Sequence, residues 1–529
     1  MRIRFGTFVA AGIASALAVG AASPGLAAFT GAAPAVRGAG PLESFYAQRA
    51  TWIPCPDADG SECATVTVPL DYRKPRGVTI TIGLLRKPPT APDAPSLVFN
   101  PGGPGVSATA WVDAAGSLLV NPASPDITAK YSLVGMDPRG VGRSTQLVCL
   151  SEAALKALTL GLPDTAAEQL AYAADATLNE VCDRTNKGLT SNIGTDSAAR
   201  DLDIVRAALG EDHLNFYGAS YGSYLGMMYA HTFPERVGRM VLDGINGPLD
   251  NMIGLAQAQA RGSEESLTGW AANCSARGAT CPAGSAGSAG SVGSVGSVGS
   301  VGGTKDVLAW LRNLLNVLHR HPIRPSVGDP ITDRSILEIA LGMLSDGQGA
   351  GFANLDELLA AAATAVGGGE NAADAADTVN ADRVAYTLAS PNFLSVNQAV
   401  NCYDRPTTGT RATTRRNTVQ WRKLAPFFSA LFVPIPASCF HWPVRKAQGN
   451  LPVTPTTEAP VLLINGLHDP KTPVRMARQS IRLFPNASLL LWNGFGHVSG
   501  TRGNACINDA VATYLIDGTL PSAGIICPS

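Results

Sequence analysis

Leu214-Asn215-Phe216-Tyr217-Gly218-Ala219-Ser220-Tyr221-Gly222-Ser223 is the stretch from which the chain is best read. An apolar run ends in a serine set between two glycines, and a helix-like segment, Ser223 to His231, follows at once. A strand that turns sharply into a helix forces the central residue into a strained backbone conformation and exposes its side chain beyond the strand end. The flanking glycines are needed because side chains there would clash with the neighbouring strand and helix. Ser220 is therefore the candidate nucleophile. The competing account is a Gly-rich strand-to-helix turn without chemistry.

A serine hydroxyl attacks poorly by itself, so it needs a base, and the base needs an orienting carboxylate. In a strand–serine–helix setting of this kind the order along the chain is serine, acid, histidine. The apolar run Val461 to Asn465 leads to Gly466-Leu467-His468-Asp469-Pro470, and the run Ser488 to Trp492 leads to Asn493-Gly494-Phe495-Gly496-His497. Asp469 and His497 are the expected acid and base. His468 is the rival base, but its adjacency to Asp469 points the two side chains apart and marks it as a loop residue. A developing oxyanion needs donors already in place. The run Ser96 to Asn100 enters Pro101-Gly102-Gly103-Pro104-Gly105, so Gly102 or Gly103 would supply one N–H and Tyr221 the other. A phosphate cradle fails on spacing, because neither G-x4-G-K-[ST] nor G-x-G-x-x-G opening a helix is present.

Working outward, further strand-like runs lie at Ala64 to Pro69, Val78 to Leu85, Tyr131 to Met136, His213 to Tyr217 and Gly238 to Leu242. Several are unbroken rather than alternating, the mark of strands buried on both faces of a mostly parallel sheet. Helical stretches fall between them, as at Ser197 to Leu209, whose Asp201 and Asp203 are expected on the polar side. The alternation predicts an α/β fold. About 210 residues between Asp250 and Val461 break it with Ala-rich helical patterns, which predicts a core of residues 36–250 and 451–529 interrupted by a helical cap at 251–450. Within the cap, Gly284 to Gly303 is a Gly/Ser/Val repeat that reads as a flexible surface loop, closed at its base by Cys274 and Cys281. Asp137 and Arg139 read as an ion pair that stabilises a turn.

Composition narrows the field. Of 529 residues, 45% are hydrophobic and only 15% charged, against about 25% charged in an average globular chain, which excludes a disordered protein. Forty basic and 41 acidic side chains, without a polybasic run, argue against nucleic acid as a partner. Met1-Arg2-Ile3-Arg4 followed by the apolar stretch Phe5 to Ala22 reads as an export signal, with cleavage expected between about 27 and 35 and residues 1–35 read as signal peptide with a short pro-segment. No later segment has the 18 or more apolar residues of a membrane helix, so no stable membrane association is expected. Ten cysteines in an exported chain imply five disulfides. They fall into neighbouring pairs: Cys55 and Cys63, Cys149 and Cys182, Cys274 and Cys281, Cys402 and Cys439, Cys506 and Cys527. Nearest-neighbour pairing is the expectation, although ten cysteines leave the connectivity open. No C-x2-C or C-x4-C spacing suggests zinc, so no metal is expected.

Asn100 to Gly105, Asp137 to Ser144, the Gly218 to Gly222 elbow, Asp469 with Thr472-Pro473, and the tail from Gly494 through Cys506 to Cys527 together resemble the exported tripeptidyl aminopeptidases of actinobacteria, relatives of proline iminopeptidase. The resemblance implies an α/β-hydrolase fold with a helical cap, a Ser-His-Asp triad, no cofactor, and release of short peptides from free N-termini, by a protein expected to be a monomer. The Gly/Ser/Val repeat departs from that pattern within the cap, where substrate length is measured. An exopeptidase must recognise a free ammonium, and Glu264, Glu265 and Asp404 are the cap carboxylates expected to do so. Two other functions use the same sequence features. A secreted carboxylesterase or lipase would need the same triad. A silent binding protein would be expected to lack one triad member, and none is missing.

Overall fold

The unbroken apolar runs form the middle of one sheet in the computed structural model, which describes residues 40–89, 91, 93–115, 125–149, 181–186, 188–285, 302–387, 390–440, 442 and 450–529. The expected export signal and residues 286–301 of the Gly/Ser/Val repeat lie outside the described residues. The strands are β1 (Ile53–Pro54), β2 (Glu62–Pro69), β3 (Thr79–Arg86), β4 (Ser96–Asn100), β5 (Ser132–Met136), β6 (Leu214–Ala219), β7 (Val237–Asp243), β8 (Val461–His468), β9 (Ala487–Phe495) and β10 (Ile526–Cys527). Their order across the sheet is β1-β2-β3-β5-β4-β6-β7-β8-β9-β10. The first four strands in that order pair antiparallel, and every pairing from β5 onward is parallel.

Burial on both faces explains the runs. All five residues of β4 and of β5 are buried. Leu97 and Phe99 point into one cluster with Tyr217, Val241 and Ile464, while Val98 points into another with Phe216, Leu242 and Leu463. The first cluster is covered by α9 (Ala505–Asp517) through Ile507, Val511 and Leu515. Helices α1 (Thr195–Ala208) and α2 (Tyr221–Thr232) cover the second. Each large aliphatic side chain so buried contributes about 1.5–3 kcal/mol.

Two sequence expectations are corrected here. Asp201 and Asp203 are fully buried on α1 rather than solvated, because each meets a cation, from elsewhere in the chain and, for Asp203, also from the next turn of the same helix. Asp201 takes a two-pronged contact from Arg139 Nε and Nη2, both at 2.7 Å, and Asp203 pairs with Arg206 and Arg236. Arg139 therefore does not pair with Asp137. Asp137 instead accepts bonds from Thr109 N and Oγ1, from Ser107 Oγ and from the Arg143 N–H, which closes the turn from within. Periodicity separates polar from apolar positions but cannot say whether a buried ion will find its partner.

Between β7 and β8 lie α3 (Met252–Arg277), α4 (Thr304–Arg320), α5 (Asp333–Asp346), α6 (Ala350–Gly367), α7 (Pro391–Asp404) and α8 (Arg411–Leu424). Most of this segment has its own core, with Trp270, Leu311, Ile336, Phe352, Trp421 and Phe428 buried together. Helix α7 differs. It starts where Ser390 Oγ accepts from Phe393 N with Pro391 in the first turn, and its Val396, Ala399 and Val400 join the core of the sheet. All ten cysteines pair with their sequence neighbours as expected, at Cα separations of 4.4–5.7 Å. Two short strands escaped the sequence reading. One of them, β10, pairs in parallel with the edge of β9 and is tied by Cys506–Cys527 to the start of α9. Among the described residues no helix is long and apolar enough to cross a membrane.

Candidate active site

Ser220 stands between β6 and α2 with φ 56° and ψ −122°, a conformation that L-residues other than glycine rarely adopt. Its N–H donates to Asp243 O at 2.8 Å, and its carbonyl accepts from Ser223 N and Oγ. The turn is sharp because α2 packs directly on the neighbouring strand: a Cβ on Gly222 would lie 2.3 Å from Asn100 O. The Gly-rich turn after β4 reaches the same point. Gly102, at φ 99°, is so close that a Cβ would sit 2.7 Å from Tyr221 N and 2.9 Å from Ser220 Cβ. Its own N–H donates to Asn100 Oδ1 at 3.1 Å. Gly103 follows under the ring of Phe393 from α7.

Asp469 lies just past β8 and is buried. Its carboxylate meets His497 Nδ1 at 2.9 and 3.0 Å, and it accepts from the N–H groups of Lys471 and Thr472 and from Thr472 Oγ1, each at 2.8 Å. Burial pushes this carboxyl up, but the His497 charge and the hydrogen bonds from His497 and Thr472 outweigh it and hold the group below the usual carboxylate range. His497 is mostly buried, with its Nδ1 edge on Asp469 and its Cε1 facing Gly244, the residue after the Asp243 whose carbonyl anchors Ser220. Ser220, Asp469 and His497 thus lie at the carboxyl ends of the parallel strands β6, β8 and β9, with β7 between the first two, where an α/β sheet concentrates chemistry. The arrangement can orient an imidazole, and it presents main-chain donors beside a strained serine. Among the described residues no group of three or more His, Cys, Asp or Glu side chains is placed to hold a metal ion.

A sequence model of the α/β hydrolase fold matches residues 95–279, and one of TAP-like proteins matches residues 425–527. The serine protease Hip1 of Mycobacterium tuberculosis is 30% identical, with 92% of each chain covered. The chain belongs to the α/β-hydrolase family. It is a serine hydrolase, similar also to a protein named carboxylesterase B from Mycobacterium tuberculosis (31% identical, covering 92% of this chain and 91% of that one). A tripeptidyl aminopeptidase of Streptomyces coelicolor is 30% identical over 88% of this chain and 83% of its own.

The remaining expected residues fall in different places. His468 is the last residue of β8 rather than a loop residue, and it stacks on Phe495 with ring centroids 4.3 Å apart. Of the cap carboxylates, Glu265 is exposed and paired with Arg261 at 2.9 Å. Glu264 is half-buried on α3, accepts from the main-chain N–H groups of Phe427 and Phe428, and is pushed up to about 7 by burial. Asp404 is fully buried. Its Oδ1 accepts from Thr195 N at 2.9 Å and its Oδ2 from Thr195 Oγ1 at 2.5 Å, and Thr195 Oγ1 in turn meets the Tyr221 hydroxyl. Burial pushes this carboxyl up to about 7 as well. With both oxygens engaged, Asp404 ties α7 to α1 and α2 rather than facing a substrate ammonium, a correction to the sequence expectation. Asp243, which no sequence motif marks, is buried and accepts from Ser499 N, Gly500 N and the Tyr217 hydroxyl. The apolar run Gly238 to Leu242 stops one residue short of it, and its partners Ser499 and Gly500 lie more than 250 residues away, beyond the reach of local pattern.

Proposed function

We propose that this serine hydrolase is an exported aminopeptidase that releases short peptides, tripeptides above all, from free N-termini by acyl transfer through Ser220, His497 and Asp469. The observation that carries the mechanistic reading is the pairing of His497 Nδ1 with a buried Asp469 beside a serine at φ 56°. Ser220 attacks the scissile carbonyl while His497, held in one tautomer by Asp469, takes its proton. The oxyanion is received by the N–H groups of Tyr221 and Gly103, since that of Gly102 is engaged by Asn100 Oδ1. His497 then protonates the leaving amine, and water cleaves the acyl-enzyme. The likeness to proteins named serine protease and tripeptidyl aminopeptidase supports a peptide substrate. Five disulfides support an oxidising compartment and hence export. Glu264 and Glu265 are the carboxylates proposed for the substrate amine.

The second reading, a carboxylesterase, is favoured by the relative of that name. Hydrolysis of a tripeptidyl amide, its N-acetylated form and a short-chain ester by the purified protein separates the two. An aminopeptidase should lose at least about tenfold in kcat/KM on acetylation, roughly 1.4 kcal/mol, because a charge-assisted contact is lost. Equal turnover of the free and acetylated amides, or turnover of the ester alone, would replace this reading.

A further inference from the structure

His497 sits on a loop whose path is set largely by a cap helix. The His497 N–H donates to Ser345 O at 2.8 Å, and Gln348 N donates to Phe495 O at 3.2 Å, so the loop and the end of α5 are joined main chain to main chain. Gly347, at φ 85°, permits the contact: a Cβ there would lie 2.0 Å from Phe495 O. The guanidinium of Arg502 grips the seam from the side. Its Nη2 donates to His497 O and to Ser345 O, both at 2.6 Å, its Nη1 to Asp346 O at 2.7 Å, and its Nε to Val498 O at 3.3 Å. Two of these carbonyls belong to the last turn of α5, where carbonyls lack intrahelical partners and the helix dipole is negative. The other two belong to His497 and to Val498, a β-branched residue held at φ 65°. A planar cation with five donors suits four diverging carbonyls, and a lysine ammonium with three does not.

We infer that Arg502 is a positioning residue for the base: by locking the main chain of His497 and Val498 to the end of α5, it makes the placement of the imidazole depend on the seated cap. The inference rests on the reading of Ser220, His497 and Asp469 as the triad. No side chain nearer the reacting atoms fixes the His497 carbonyl among the described residues. Asp469 orients the ring and Asp243 holds Ser499 and Gly500, while Arg502 and Ser345 hold the backbone of His497 itself.

The test uses the full disulfide-bonded chain with Arg502→Met, Arg502→Lys, Gly347→Ala and, as a control, Arg422→Met on the exposed side of α8. On a tripeptidyl amide, Arg502→Met is expected to lower kcat about 30- to 100-fold with KM within about threefold, as a displacement of a catalytic group of about 1 Å does. Labelling of Ser220 by a fluorophosphonate should slow by a similar factor. Arg502→Lys should restore only part of kcat, Gly347→Ala should lower kcat with Arg502 intact, and Arg422→Met should match the wild type. A folded Arg502→Met with near wild-type kcat and a lowered Tm would reduce Arg502 to a structural role and overturn the inference. Should Arg502→Met fail to fold, unchanged kcat in Gly347→Ala and Arg502→Lys would overturn it equally. Ser220→Ala is run alongside: retained activity there sinks the triad itself, whereas an inactive Ser220→Ala beside an unaffected Arg502→Met sinks only the present inference.

Discussion

Ser220 and His497 reach neighbouring positions by different means. The turn that carries the serine is written within about ten consecutive residues: β6 ends, Gly218 and Gly222 allow the turn, and α2 begins. The histidine is placed by segments scattered from Asp243 through Ser345 and Asp469 to Arg502. Local placement makes the elbow a sequence motif and leaves it sensitive chiefly to its own glycines. Remote placement leaves the partners that hold the histidine loop unwritten in its own sequence and couples it to the cap. Each of the two is also strained, at φ 56° for Ser220 and φ 65° for Val498, and a sparsely populated conformation of about 1–3 kcal/mol persists only where its surroundings over-determine it. At the elbow those surroundings combine its own glycines with Asn100, the Gly102 turn and Asp243, and at the loop they are Asp243, Ser345 and Arg502.

The largest expected effect treats the two as one machine. Ser220→Ala and His497→Ala should each lower kcat at least about a thousandfold on a tripeptidyl amide, and the double variant should be no worse than either, because residues acting as a unit are not additive. Losses that multiply in the double variant would mean that the two groups do not act on the same step. A smaller effect separates the regions. Gly222→Ala introduces a Cβ 2.3 Å from the Asn100 carbonyl and should cost about 1–3 kcal/mol in urea unfolding, together with activity, since overpacking the elbow moves Ser220 itself. An unchanged midpoint would show that the turn is not tight.

The smallest effect concerns the buried tie beneath the elbow. Burial raises the Asp404 carboxyl to about 7, well above the unfolded value of about 3.9. Between those limits the folded state binds the proton more tightly, so the stability this group contributes is full below about pH 4 and is lost as the pH rises toward 7. Glu264, also raised to about 7, acts in the same direction. Asp404→Asn should therefore flatten the decline of Tm between pH 4 and 7 by about 1–3 °C relative to wild type. Parallel curves for the two proteins would show that Asp404 ionises freely in the fold.

Much of the architecture was legible because burial on both faces writes unbroken apolar runs into the sequence. The runs at Ser96 to Asn100 and Val461 to Asn465 recur in β4 and β8, with the latter continuing to His468. Ser220, Asp469 and His497 were legible as strand-end residues in the order this topology requires. Polar partners were not legible. Asp201 meets Arg139 across more than 60 residues, and Asp404 is filled by Thr195 rather than exposed. By itself the sequence determined the α/β alternation, the nucleophile elbow and the neighbouring cysteine pairs, because each depends on residues close together in the chain. Only the tertiary structure decided which carbonyls Arg502 would find, and hence how His497 is held. A main-chain carbonyl has no side-chain identity, so its place in space is absent from the sequence until the chain has folded.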